Sequence, residues 1–406
     1  MIIYTDEQCD LIDRAVSWYH SGSDQVFEFD GPPGSGKSLI LNEIIRTLDL
    51  DPMTEVAPMS FTGAASIVMR TKGLYSAKTA HSWLYNVIPV EMRDKDGKII
   101  LDQLFNVPIM IPKFIPVEKL NDSIKLIVVD EAYSMPQSLR PIIEKFGIKI
   151  LACGDKNQLP PVNDRPAFLT NNNIFHLSKI MRQQGREDIN YIANRVGNGL
   201  PIINGYYGNC MVIDAEDLND NMLMWADCII CGKNKTRDTI NKKIRAINGY
   251  NSDLPKYGEK VVARNNNWLE SVITTTGQEI NICNGLIGTV VSNPDVSSYD
   301  GKMFSMAFRP DLVPQVIFNT RCNYKHMIAD NDERVLIRNN KWELGNKFEY
   351  AYCITAHIAQ GSQFHRVVYI EEPMHPSIQN NINLVGASRA DKQLIYVKRS
   401  NNKINF

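Results

Sequence analysis

The stretch Gly31-Pro-Pro-Gly-Ser-Gly-Lys-Ser38 stands between a predicted strand, Gln25–Phe29, and a segment of helical apolar spacing, Leu39–Ile45. A glycine-rich loop in this setting lets backbone N–H groups approach phosphates, and the N-terminus of the helix adds a favourable dipole. Lys37 is expected to reach the β- and γ-phosphates of a nucleoside triphosphate, and Ser38 to ligate Mg²⁺. The other residues of this predicted phosphate-binding loop are Gly31, Pro32, Pro33, Gly34, Ser35 and Gly36.

Two adjacent acids, Asp130 and Glu131, follow the apolar run Leu126–Val129. A carboxylate at a strand end beside a phosphate loop can hold the metal, and its neighbour can orient and deprotonate an attacking water. Asp130 is therefore the second expected magnesium ligand, and Glu131 the expected general base. Together with the loop, these acids predict hydrolysis of a nucleoside triphosphate.

Short apolar runs separated by helical patterns predict parallel sheets with crossover helices. The predicted strands are Gln25–Phe29, Leu126–Val129, Ile148–Cys153, Cys228–Cys231, Val367–Ile370 and Leu394–Val397. Two stretches break the alternation. Residues 86–123 contain the hairpin-type turn Asp94-Lys-Asp-Gly97 and predict a small β insertion, and residues 251–345 predict a larger, all-β insertion. The predicted fold class is thus α/β with two β-rich insertions.

The bulk composition is that of an ordinary globular protein, with 22% charged and 44% hydrophobic residues. A net charge of −1 over 406 residues excludes a globally basic nucleic-acid coat but not a local basic groove. The eight scattered cysteines favour reduced thiols over a disulfide framework. The acidic N-terminus and the lack of an apolar run of roughly 18 residues predict a soluble, intracellular chain without a membrane span.

A third predicted strand is followed by Gly154-Asp-Lys-Asn-Gln158-Leu-Pro-Pro161, in which Gln158 is placed to sense the γ-phosphate. With Asp130-Glu131-Ala132, this set resembles the superfamily 1 helicases, specifically the RecD- and Dda-like branch of superfamily 1B. The resemblance extends along nearly the whole chain. The further matching segments are Thr5-Asp-Glu-Gln8, Ala57-Pro58 with Thr62-Gly63, Thr79-Ala-His81, Met181-Arg182-Gln183, Lys233-Asn-Lys-Thr236 with Asn241, Thr355-Ala-His357-Ile-Ala-Gln360-Gly-Ser-Gln363 and Gly386-Ala-Ser388-Arg389-Ala390.

The resemblance implies two RecA-like lobes with ATP between them. Residues 1–175 would form the first lobe, with 86–123 as a β-hairpin pin, and residues 176–250 with 346–406 would form the second. Residues 251–345 would form an inserted, small β-barrel-like subdomain. The pin is implied to split the duplex, and Phe105 and Phe114 are its candidate wedge residues.

The resemblance also implies roles for individual side chains. Gln8 would bind the adenine edge, and Arg182 and Arg389 would approach the γ-phosphate, with Arg389 as the arginine finger. Gln363 stands where the family commonly has Glu, and because an amide accepts at one end and donates at the other, discrimination between sugars stays open. The residues implied to contact a single strand are Pro58, Thr62, Gly63, Thr79, His81, Asn234, Lys235, Thr236, Thr355 and His357.

Basic and aromatic residues add weaker indications of a nucleic-acid partner. The run Lys233–Arg245 holds six basic residues against Asp238, and Gly63–Lys78 holds three basic residues and no acid. Such runs hold phosphates or simply form a solvated helix face. Tryptophans stack on bases or pack in a core, and the candidates are Trp83, Trp268 and Trp342.

The leading functional hypothesis is an ATP- and Mg²⁺-dependent DNA helicase that moves 5′ to 3′ on single-stranded DNA and unwinds duplex at junctions. That polarity is implied by the resemblance and is not visible in any residue. Two alternatives stay open: an RNA helicase or RNP remodeller of the same superfamily, and a P-loop ATPase switch that does not step. No residue pattern identifies a protein partner.

Overall fold

The computed structural model describes residues 4–22, 24–102, 106–171, 174–178, 187–275, 277–296, 301–340 and 343–399. Its contacts divide the chain into two compact units. Unit 1 comprises residues 1–84, 117–232 and 355–405, and unit 2 comprises residues 85–116 and 233–354. This grouping is not the three-domain division predicted from the sequence, which stays a prediction.

The elements from the N-terminus to the last strand of the first sheet are α1 (Asp6–Ser21), β1 (Val26–Asp30), α2 (Lys37–Thr47), β2 (Val56–Ser60), α3 (Gly63–Thr71), β3 (Lys78–Thr79), α4 (Ala80–Leu84), β4 (Tyr85–Glu91), β5 (Met110–Pro116), β6 (Leu126–Val129), α5 (Arg140–Glu144), β7 (Lys149–Gly154) and β8 (Phe175–His176). They are followed by α6 (Glu187–Gly197), β9 (Gly205–Tyr207), β10 (Cys210–Asp214), α7 (Asp220–Trp225), β11 (Cys228–Cys231) and α8 (Asn234–Ile247).

The remaining elements begin with β12 (Lys260–Ala263), β13 (Ser271–Ile273), β14 (Glu279–Asn281), β15 (Ile287–Val290), β16 (Met303–Pro310), β17 (Phe318–Asn323), α9 (Tyr324–Ile328), α10 (Asn331–Asn339) and β18 (Phe348–Tyr350). The chain then forms β19 (Cys353–Thr355), α11 (Ala356–Ala359), β20 (Phe364–Ile370), α12 (Pro376–Ala387) and β21 (Ala390–Lys398).

The first sheet has the strand order β3-β2-β6-β7-β1-β8, and its paired strands run parallel. Because β1 pairs with β7 so that Asp30 lies beside Gly154, the loops that follow both strands leave the same edge of the sheet. Helices α1 and α2 cover one face. Their buried apolar side chains, Leu11 and Ile40 among them, pack against Phe29 and Leu151 in one core.

The second sheet has the strand order β19-β11-β20-β21-β10-β9. Strands β11, β20, β21 and β10 run parallel to their neighbours in that series, and β9 pairs antiparallel with β10 at the edge. Helix α12 packs closely on this sheet at Gly386, where an added Cβ would lie 2.1 Å from the Tyr369 ring. Only a glycine permits that approach. All six strands predicted from apolar runs are present, and the α/β fold class is confirmed.

Unit 2 is mostly antiparallel β structure. Strands β4 and β5 form a hairpin in register from Tyr85 opposite Pro116 to Glu91 opposite Met110, and the main sheet has the order β17-β16-β15-β12-β18. The prediction that residues 251–345 are all β is wrong, because α9 and α10 lie within them. Helix α10 buries Arg334 beside Ile337, so the apolar period that marks a helix is missing from the sequence.

None of the helices in the described part of the chain combines the length and the apolar character that crossing a bilayer requires.

Candidate active site and nucleic-acid contacts

The predicted phosphate loop connects the end of β1 to the start of α2. Gly34 and Gly36 have φ angles of 88° and 90°, in the left-handed region that residues with a Cβ rarely adopt. Gly31 packs so closely that an added Cβ would lie 2.8 Å from Ser35 Oγ. The glycines therefore fix the loop path that leads into the N-terminal N–H groups of α2.

Two side chains of the loop have polar atoms available to a phosphate. Lys37 Nζ donates to the carbonyl oxygens of Gly31 (2.8 Å) and Pro32 (3.1 Å), so the ammonium lies folded back over the loop. The buried hydroxyl of Ser35 has no hydrogen-bond partner among the described residues. Buried polar groups normally have partners, so this hydroxyl marks a place where a bound group would complete the bonding.

Gln8 joins α1 to the phosphate loop. Its side chain completes a capping box with Thr5, and its Nε2 donates to the carbonyl oxygen of Ser35 at 3.0 Å. Gly36 faces the same amide, because a Cβ there would lie 2.9 Å from Gln8 Nε2. Gln8 thus holds the loop from outside, and this bonding accounts for one of its two amide hydrogens.

The predicted acids lie directly after β6. Glu131 has a φ of 52°, and its N–H donates to Asp130 Oδ1 at 2.9 Å. The buried Cys153 thiol donates to the same oxygen at 3.3 Å, which fixes the Asp130 carboxylate from the neighbouring strand. Burial and then the Asp130 charge raise the pKa of Glu131, while the cations of Lys37 and Arg389 lower it.

A third acid, Asp155, follows β7 and was given no role from the sequence. It is 2% exposed, and its Oδ2 has no hydrogen-bond partner among the described residues. Burial raises the pKa of Asp155, and the Lys37 charge is the largest effect that lowers it. The only signal in the sequence was its position at a strand end within the Gly154–Pro161 motif.

Arg389 lies between α12 and β21 and is 5% exposed. Its Nε donates to the Val385 carbonyl (3.0 Å), and its two terminal nitrogens donate to Ser388 Oγ (3.0 Å) and the Ser362 carbonyl (3.4 Å). Its charge lowers the pKa of Glu131, an acid of the first sheet. Arg389 is thus near enough to the acids of the first sheet for its charge to act on Glu131 and Asp155, whereas Arg182 lies outside the described residues.

Neutral amides join the two sheets beside this site. Gln360 Nε2 donates to Gln158 Oε1 at 3.2 Å, and Asn381 Nδ2 donates to the carbonyl oxygens of Asn157 (2.8 Å) and Gln158 (3.0 Å). Gln158, which follows β7 of the first sheet, is thus bonded to two residues that belong with the second sheet. Gln363, three residues after Gln360, is exposed.

The oxygen donors expected to hold Mg²⁺ fit that ion in kind. Mg²⁺ prefers hydroxyl and carboxylate oxygens and keeps several waters, so Ser38 and Asp130 suffice as protein ligands. Ser38 Oγ accepts a hydrogen bond from Lys72 Nζ at 3.1 Å, at the end of α3. A metal at Ser38 would require that ammonium to move away.

The candidate strand-contact residues of the first sheet sit where strands turn into helices. Thr62 caps α3 by accepting from Ala65 N at 3.2 Å, and Gly63 is its first residue. Thr79 bonds Ser82 Oγ at 2.8 Å before α4. Further along the chain, Thr355 is buried and His357 is exposed on α11.

The other candidates near α4 pack with aromatic rings. The Pro58 carbonyl accepts from the Trp83 indole N–H at 2.8 Å. The centroid of the His81 ring lies 6.1 Å from that of Phe61, and burial lowers the pKa of His81. Trp83 is thus tied to β2 by a hydrogen bond.

The basic run at α8 is less available than the sequence suggested. Arg237 and Arg245 are buried in ion pairs with Glu349 (2.7 Å) and Glu259 (2.9 Å). Two of the six basic residues of this run are therefore not available at the surface, and their ion pairs with distant acids cannot be seen in a local sequence. The candidates Asn234 and Lys235 are exposed at the start of α8, and Thr236 is half-buried there.

The candidate wedge and stacking residues in unit 2 contact one another. Phe114 on β5 is 41% exposed and packs edge-on against Tyr85 (6.2 Å) and Trp268 (5.5 Å between ring centroids). Phe105 and Trp342 lie outside the described residues.

Comparisons with known proteins bear on the fold of the chain. Residues 4–203 match the family model of an AAA domain. No curated protein matches the chain. Three solved structures align over almost all of it, each at 16% identity.

The first concerns DNA unwinding at forked duplex DNA by two coordinating Pif1 helicases; it has a TM-score of 0.56 and covers 97% of this chain and 92% of that chain. Bacteroides Pif1 bound to single-stranded DNA gives a TM-score of 0.54 with coverage of 98% and 92%. Pif1 from Candida albicans gives 0.51 with coverage of 100% and 95%. The chain therefore has the fold of the Pif1 helicases, with two RecA-like lobes, and its residues 4–203 match the AAA domain family.

Proposed function

We propose that this chain is an ATP-dependent DNA helicase that moves 5′ to 3′ along single-stranded DNA and unwinds duplex at junctions. The observation that carries the proposal is that Gln360 and Asn381 of the second sheet bond Gln158 of the first, while the charges of Lys37 and Arg389 both lower the pKa of Glu131. Cations on both sides of the transferred phosphoryl group stabilise the charge that spreads over it in the transition state. Hydrolysis would then depend on the two sheets being held together.

Each residue of the first sheet has a defined part in this proposal. Lys37 would leave the carbonyls of Gly31 and Pro32 for the β- and γ-phosphates, and N–H groups of the loop with Ser35 Oγ would bind the remaining phosphate oxygens. Ser38 and Asp130 would hold Mg²⁺, which when bound neutralises charge on the phosphates. The bond from Lys72 to Ser38 would also have to break in this arrangement.

Glu131 is the residue proposed to accept the proton of the attacking water. A base is most effective when its pKa approaches the working pH, and burial raises the pKa of Glu131 in that direction. Gln158, bonded to Gln360, would transmit the state of the γ-phosphate to the second sheet. Loss of that phosphate would thereby alter the contact between the sheets, which is the differential binding that a stepping cycle requires.

The strand-contact assignments rest on local geometry. Thr62 and Thr79 stand at helix starts, where N–H groups and hydroxyls suit backbone phosphates. His357 and Lys235 are exposed, as contacts with a polymer require. The similar Bacteroides Pif1 was crystallised bound to single-stranded DNA, which supports the same class of partner here.

The decisive test compares strand displacement on 5′-tailed and 3′-tailed duplexes, each made in DNA and in RNA, with ATP and Mg²⁺. We expect unwinding of the 5′-tailed DNA and stimulation of ATP turnover by single-stranded DNA. Unwinding of only the 3′-tailed DNA would refute the polarity. Unwinding of RNA in preference to DNA would favour the RNP remodeller, an alternative to which the exposed Gln363 is relevant. Turnover indifferent to added strand would favour a P-loop switch.

A further inference from the structure

A cluster of ionised side chains lies inside unit 2, away from the phosphate loop in sequence. Its centre is Glu349 on β18, which is 1% exposed. Arg237 of α8 lies 2.7 Å from Oε2 of this carboxylate, Arg338 of α10 lies 2.8 Å from Oε1, and Arg264 lies 3.3 Å from Oε1. Three arginines from separate parts of the unit therefore share one buried carboxylate.

A second acid joins the cluster from α8. Asp238 accepts from Arg237 at 2.8 Å and from Arg334 at 3.1 Å. The acids of the ion pairs just described are Glu349 and Asp238. The arginine cluster, defined as Arg237, Arg264, Arg334 and Arg338, thus carries two positive charges more than its acids.

The neighbouring histidine does not change this balance. His326 is fully buried, and burial followed by the charges of Arg338 and Arg334 outweighs Glu349 and lowers its pKa to about 3. It is therefore neutral near pH 7. His326 therefore adds no positive charge to those of the four arginines.

Excess buried charge is costly unless an ion of opposite sign accompanies it. The cluster is open on one side, since the side chains of Arg338 and Arg264 are 24% and 16% exposed. The Nε of Arg264 lies 3.3 Å from Glu349 Oε1 without completing a hydrogen bond to it. A planar guanidinium with donors to spare is the group that best matches the oxygens of a phosphate.

The cluster also contacts the helix that carries candidate strand residues. Arg237 donates to Asn234 Oδ1 at 3.1 Å, in the first turn of α8. An anion at the open side would therefore lie in the same unit as Asn234, near the residues of α8 that are implied to contact a strand.

We propose that Arg264 and Arg338 form the open side of a phosphate-binding site whose charge the buried cluster maintains. We assign its occupant as a backbone phosphate of bound single-stranded DNA, an assignment that rests on the proposed function. Free phosphate has the same chemistry, so the test separates the two sources.

The first arm measures the melting temperature in inorganic phosphate and in sulfate against chloride at equal ionic strength. A bound anion stabilises the folded state by mass action, so a rise of about 3 °C is expected at concentrations tenfold above Kd. Arg338→Gln and Arg264→Gln should each lose most of that rise, and Arg309→Gln should keep it. Arg309 is the matched control because it is an exposed arginine of β16 in the same unit. An equal rise in all four proteins, or none, would overturn the site.

The second arm measures binding of an oligothymidine across a range of salt concentrations. If the occupant is a strand phosphate, each cluster variant should reduce the slope of log K against log[salt] by about 1 and weaken binding at any sequence. If the variants lose the rise in melting temperature but keep the wild-type salt slope, the site binds free phosphate and the assignment to a strand phosphate is refuted. A wild type that binds no strand would refute the proposed function and leave the anion result standing.

Discussion

Replacing Arg389 with alanine tests the proposal that cations from both sheets stabilise the transferred phosphoryl group. Hydrogen bonds from its guanidinium go to Val385, Ser362 and Ser388, which belong to the second sheet and its loops. The guanidinium is therefore oriented before nucleotide arrives, and its removal leaves the phosphate loop of the first sheet intact. Nucleotide affinity should stay within about tenfold, because Lys37 and the loop supply most ground-state contacts.

The effect on turnover should be much larger. Arginine fingers contribute on the order of 10³–10⁵ in rate, and we expect about 10³ here, or about 4 kcal/mol of barrier. The assay is steady-state ATP turnover with saturating single-stranded DNA, together with binding of a fluorescent nucleotide. Arg366→Ala is the control, since Arg366 forms an exposed pair with Asp227 at 2.6 Å and should change neither quantity. Normal hydrolysis by the Arg389 variant, or equal loss of binding and turnover, would refute the role given to Arg389.

Three further predictions concern charge. Lys37→Ala should abolish measurable ATP turnover, because no other described cation bonds the loop carbonyls of Gly31 and Pro32; residual turnover above a few per cent would contradict this. Since burial raises the pKa of Glu131, the acid limb of the kcat profile should lie above the ordinary glutamate value of 4.5, and a limb at 4.5 would exclude Glu131 as the base. The pKa of His326 is lowered from 6.5 to about 3 in the folded protein. Between these values the unfolded chain binds a proton at His326 that the folded protein does not, so the free energy of unfolding decreases as the pH falls below 6.5. Urea unfolding at pH 7 and pH 5 should show that His326→Gln removes about 2 kcal/mol of this acid destabilisation.

Local patterns predicted much of the fold and of the phosphate site. The loop from Gly31 to Ser38 depends on backbone conformation and on its position between a strand and a helix, and both are written in consecutive residues. The acids after β6 were found for the same reason. The roles of individual side chains in the site stay predictions, because geometry places them together without showing what they do.

Interactions between residues far apart in the chain could not be predicted from the sequence. The pairing of Arg237 with Glu349 turns an apparent surface cation into a buried one, and nothing in the run around α8 reveals it. Helix α10 was missed because it buries Arg334 where an apolar residue would mark the period. Asp155 was overlooked because its importance comes from burial beside Lys37, which only the packed sheet creates.

The bonds that join Gln158 to Gln360 and Asn381 carry no formal charge on either partner. Each such bond contributes only about 0.5–1.5 kcal/mol, so thermal motion can break the set, and a modest gain from nucleotide can restore it. Mobile ions hardly screen neutral dipoles. A rise in ionic strength should therefore weaken binding of a polyanion but leave the hydrogen bonds between the two sheets almost unchanged.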